Sequence, residues 1–77
     1  METTNVITII KNGISETPVL IRENTKADAY FENKVRKLLG EDADELNFMD
    51  DMVYEKANRM LNFLGYEITY FTGIEVN

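Results

Sequence analysis

The chain contains no cysteine, histidine or tryptophan, and only one serine, Ser15, and one proline, Pro18. Without cysteine it can form no disulfide, no thiolate metal site and no cysteine nucleophile. Without histidine, the Ser-His-Asp and Cys-His arrangements are absent by inventory, and zinc loses its usual nitrogen ligands. Carboxylates alone can run glycoside hydrolysis, but that chemistry needs a concave site the size of its substrate. A chain of 77 residues leaves little room for one. The inventory predicts a protein that is not an enzyme and carries no cofactor. Long apolar runs are also missing, so no segment reaches the roughly 20 apolar residues of a membrane helix. The start, Met1-Glu2-Thr3-Thr4, lacks the basic residues of a secretory signal. These features lead us to expect a soluble, cytoplasmic protein.

Length bounds the rest. Seventy-seven residues allow one domain, 1–77, which buries only about 60% of the surface its unfolded chain exposes. Apolar residues make up 44% of the chain, enough for one core. The net charge of −6 disfavours direct binding to a phosphate backbone. That charge is concentrated in one place. Between Leu38 and Glu55 stand seven acids and no base: Glu41, Asp42, Asp44, Glu45, Asp50, Asp51 and Glu55. Taking those seven from the total leaves +1 on the rest of the chain.

Hydrophobic patterning gives the elements. Val6-Ile7-Thr8-Ile9-Ile10 is β-branched throughout and suits a strand. Its apolar residues point both ways, as expected of a strand covered on both faces or paired at an interface. Asn12-Gly13 predicts a type I′ hairpin turn, and the return strand should span Ile14 to Arg22. Pro18 cannot donate to a ladder, which makes that strand an edge or a bulged one. Thr25 reads as a helix N-cap with Asp28 as its partner, opening a helix over 26–39. Ala27, Phe31, Val35 and Leu38, flanked by Tyr30 and Leu39, form its apolar stripe, and Gly40 ends it. A second helix should begin near Asp44, or at Asn47 with Asp50 as its capping partner. Its stripe is Leu46, Met49, Val53, Ala57, Met60 and Leu64, widened by Met52 and Leu61, and Gly65 stops it. Tyr66 to Tyr70 alternates as a half-buried strand, which Gly73 bends and Ile74-Glu75-Val76 continues.

The expected fold is therefore α+β in the order β-β-α-α-β. A three-stranded, mostly antiparallel sheet would carry an antiparallel helix pair on one face. Pro18 favours the sheet order 2-1-3, with the first strand in the middle, over the alternative 1-2-3. Counting directions across short links makes the last strand parallel to the first, and antiparallel to the second.

Three surfaces are candidates for function. The first is the acidic block. Glu41, Asp42, Asp44, Glu45, Asp50, Asp51 and Glu55 could imitate a nucleic-acid strand and occupy the groove of a basic nucleic-acid-binding protein. The same acids also suit a solvated turn and helix start, where the macrodipole favours them. The second is aromatic. Tyr66, Tyr70 and Phe71 on the last strand could form a homodimer interface or serve ordinary cross-strand packing. The third is the Asp42-x-Asp44 pair with Asp50 and Asp51 nearby, whose oxygens suit calcium. The EF-hand pattern fails there, because Leu46 and Asn47 fall where a ligand and a glycine are required, so no metal ligands are assigned. Lys26, Lys34, Arg36 and Lys37 lie among Glu32 and Asn33 as a mixed-sign helix face. In general character the chain is similar to small acidic accessory proteins of phages and mobile elements, some of which block nucleic-acid-binding partners. These features lead us to expect a small acidic protein-interaction module, with a self-associating protein and a calcium-binding domain as alternatives.

Overall fold

The structure, a computed structural model, describes residues 2–76. It is an α+β fold in which one strand organises the sheet. Strand β1 (Glu2–Lys11) is paired along both edges. On one edge lie two short strands, β2 (Ile14–Ser15) and β3 (Val19–Ile21), and on the other the long β4 (Tyr66–Val76). All three run antiparallel to β1. The hairpin turn forms as expected, with Asn12 at φ 51° and Gly13 at φ 83°, both in the region a type I′ turn demands. The return strand differs from expectation in being split. Pro18 lies between its two pieces, so the sheet has four strands rather than three. The first strand is central, as Pro18 had implied.

The direction of the last strand overturns the sequence expectation: β4 is antiparallel to β1, not parallel. Direction-counting allowed only a short link between Gly40 and a second helix opening near Asp44 or at Asn47. The stretch from Gly40 to Met52 is a built segment instead, opening with a 3-10 helix at Gly40–Glu45. Asp44 meets Arg36, and Phe48 then packs edge-on against Phe31, so the chain travels back along the first helix before the second begins. The entry to β4 is pinned beside the hairpin, where the Asn12 N–H donates to the Gly65 carbonyl at 2.8 Å. Glycine is favoured there. Gly65 has φ 81°, and a Cβ would stand 2.5 Å from Asn12 Oδ1. Further on, Thr4 faces Ile74 while Val6 faces Phe71, so β4 carries one extra residue at a bulge that includes Gly73.

Helix α1 (Asn24–Leu39) buries Ala27, Phe31, Val35 and Leu39, one face at four-residue spacing. Tyr30 and Leu38 pack at its margin. Its start is not capped as expected: Glu23 is the N-cap residue and Thr25 lies inside the helix. The buried Asn5 ties the region together. Its Nδ2 donates to the Ile21 carbonyl at 3.0 Å and to Asn24 Oδ1 at 2.9 Å, joining β1, β3 and the helix start.

Helix α2 (Val53–Asn62) starts later than either expected position. Asn47 Oδ1 accepts from the Met49 N–H, and Asp50 Oδ1 from the Met52 N–H. Both side chains thus bond the backbone two residues on and hold turns rather than a helix. Met49, expected in the apolar stripe, is 91% exposed, and the helix centres its buried face on Ala57 and Leu61 rather than Leu64. The Asn58 carboxamide clamps α2 to β4, accepting from the Ile68 N–H at 2.8 Å and donating to the Ile68 carbonyl at 2.9 Å. Ile7, Ile9 and Ile68 of the sheet, the α1 stripe, Ala43, Ala57 and Leu61 form one core. Val6, Thr8 and Ile10 alternate to the other face and remain half-exposed.

Candidate functional site

The acidic segment is shaped by its one buried member. Ala43 is fully enclosed in the 3-10 helix, so its neighbours Glu41, Asp42, Asp44 and Glu45 all stand outward. Asp51 and Glu55 are exposed as well, and Asp50 is half-buried. Two of the seven carboxylates are neutralised. Asp44 meets Arg36 at 3.3 Å, and Asp50 meets Lys56 at 2.7 Å. The Lys56 ammonium, followed by the Met52 N–H, holds the Asp50 carboxyl below the usual carboxylate range. Glu41, Asp42, Glu45, Asp51 and Glu55 have no ion pair among the described residues. The carboxylates do not converge: among the described residues, no three Asp or Glu side chains come close enough to hold a metal ion.

Beside this segment lies a cleft of about 500 Å³ between α1 and the turn leading into α2. Its floor is aromatic. Around Phe31 sit Phe48 at 6.4 Å, Tyr54 stacked at 6.2 Å and Tyr70 at 5.5 Å between ring centroids. Its rim carries Asp28, Glu32, Asp50 and Asp51. The Tyr70 hydroxyl donates to Asp28 Oδ1 at 2.7 Å. Burial, and then that bond to a carboxylate, push the Tyr70 hydroxyl up to about 12. Of the rim, only Asp50 and Asp51 belong to the acidic block read from sequence. In the sequence Asp28 reads only as the capping partner of Thr25, and Glu32 only as part of a mixed-sign helix face. Their four-residue spacing, flanking the Phe31 position on one helix face, is the signal that could have found them.

The three aromatic candidates do not share a surface. Tyr70 lies on the covered side against Phe31, and Tyr66 lies on that side beneath the Lys11 ammonium, 5.5 Å from the ring centre. Phe71 is on the open face, 57% exposed, opposite Val6. Leu20, 62% exposed, faces Val6 from the other side, so an apolar row crosses three strands. Among the described residues no helix is long and apolar enough to cross a membrane. No protein-family model, no curated protein and no solved structure matches the chain.

Proposed function

We propose that this chain is a non-enzymatic, cytoplasmic interaction module that docks its acidic segment into a basic groove of a nucleic-acid-binding protein and blocks it. One observation carries the reading. Five carboxylates, Glu41, Asp42, Glu45, Asp51 and Glu55, project from a short folded segment without a cationic partner among the described residues. Fixed charges of one sign accelerate encounter with the opposite sign and make it sensitive to salt. The test is affinity capture from native lysate with the wild type and with a variant in which these five are changed to their amides. The wild type should retain basic nucleic-acid-binding proteins at low salt and release them as salt rises. Equal recovery by the amide variant would sink the reading.

The row Leu20–Val6–Phe71 favours a second reading, a homodimer formed through the open sheet face. Apolar side chains aligned across adjacent strands and left in water gain by being covered. Sedimentation equilibrium decides it, since a strict monomer at high concentration ends the idea.

A further inference from the structure

The cleft over Phe31 has a floor and a rim of different chemistry, and together they specify an occupant. We propose that it receives an arginine side chain from the basic partner, with the guanidinium stacked on the aromatic floor and held by Asp51 and Asp28. The assignment rests on reading the acidic segment as a docking surface and names the group that surface selects.

The acceptors point to a cation. Glu32 is already bound to Arg36 and Asp50 to Lys56, but Asp51 has no ion pair among the described residues. Asp28 accepts the Tyr70 hydroxyl on Oδ1, which leaves Oδ2 for another donor. The rings select the kind of cation. A guanidinium is planar and weakly hydrated, stacks on aromatic faces, and offers a fork of donors to carboxylates, whereas an ammonium is a compact and strongly hydrated point charge. Phe48, Tyr54 and Tyr70 line the cleft and are half-buried rather than sealed in the core. The chain supplies its own precedent close by. The Arg36 guanidinium lies 4.8 Å from the Phe48 ring centre while bonding Glu32 at 3.0 Å and Asp44 at 3.3 Å. The cleft repeats those parts, aromatic ring and two carboxylates, with the guanidinium left out. Its volume lies within the range of ligand sites and leaves ample room for one long side chain.

The experiment is an NMR titration of the full chain with N-acetyl-arginine amide, N-acetyl-lysine amide and the neutral isostere N-acetyl-citrulline amide. Arginine should give saturable shifts at Phe31, Phe48, Asp51, Tyr54 and Tyr70, and bind about fivefold or more tightly than citrulline. Asp51→Asn, an exposed change that leaves the core untouched, should weaken arginine by several fold. Glu41→Gln with Asp42→Asn should leave it unaltered. Citrulline or lysine binding as well as arginine would overturn the assignment. So would arginine shifts confined to Glu41–Glu45, a result that would leave the docking reading standing while removing the cleft from it. If instead the docking reading fails, the five-amide variant captures the same proteins whatever the titration shows.

Discussion

The two faces of the sheet are built from similar residues and have different fates. The covered face presents Ile7, Ile9 and Ile68; the open face presents Val6, Ile10, Leu20 and Phe71. Apolar content therefore does not decide which face is sealed. Polar anchors do. Asn5, Asn58 and Tyr70 each reach from one element to another on the covered side, and each bonds a specific partner across the boundary between sheet and helices. The open side has Thr69 Oγ1 reaching only the neighbouring strand, at the Thr8 carbonyl. Burial supplies most of the free energy, and the directional bonds choose the side on which it is spent.

That contrast can be broken by mutation. The largest effect is expected from Leu61→Ala, which empties a fully enclosed site and should cost about 2–5 kcal/mol in urea denaturation. Phe71→Ala on the open face should cost well under half as much in the monomer, and equal losses would mean that the open face is covered in solution. Next comes Asn58→Leu, which removes both partners of the Ile68 backbone. A loss of about 1–3 kcal/mol is expected, with faster amide exchange at Ile68 as the local signature. Gly65→Ala should cost about 1–2 kcal/mol, since it forces a side chain into positive φ and against Asn12. An unchanged melting temperature would show that the entry to β4 is not pinned there. The smallest effect is the titration of Tyr70. Its hydroxyl is raised from about 10 to about 12 in the fold, so its contribution is complete below pH about 10 and is lost as pH rises towards 12. An absorbance titration should find the Tyr70 transition late, and Asp28→Asn should bring it earlier.

Local signals were legible in the sequence and long-range ones were not. Asn12-Gly13 fixed the hairpin because the turn needs nothing beyond its own two residues. Ala27, Phe31 and Val35 announced their helix by spacing. The late start of α2 was hidden because Asn47 and Asp50 serve equally well as caps and as turn formers, and packing of Phe48 on Phe31 chose the turn. The direction of β4 depended on that same stretch. The acidic block was legible as a count, but its true charge was not. Arg36 and Lys56, which neutralise Asp44 and Asp50, lie just outside the interval over which the acids were counted. The cleft was invisible because Asp28 and Tyr70 meet from 42 residues apart.

The clamp between Asn58 and Ile68 also limits how wide the sheet can become. The Ile68 N–H and carbonyl lie on the margin of β4 away from β1, where another chain's strand would add. One carboxamide occupies that docking point as if it were a strand one residue long. At the opposite margin, Pro18 offers no N–H and splits the border strand in two. A sheet stopped at both margins cannot readily lengthen into a ribbon of copies, so a second molecule is steered towards the flat side, where Leu20 and Phe71 wait.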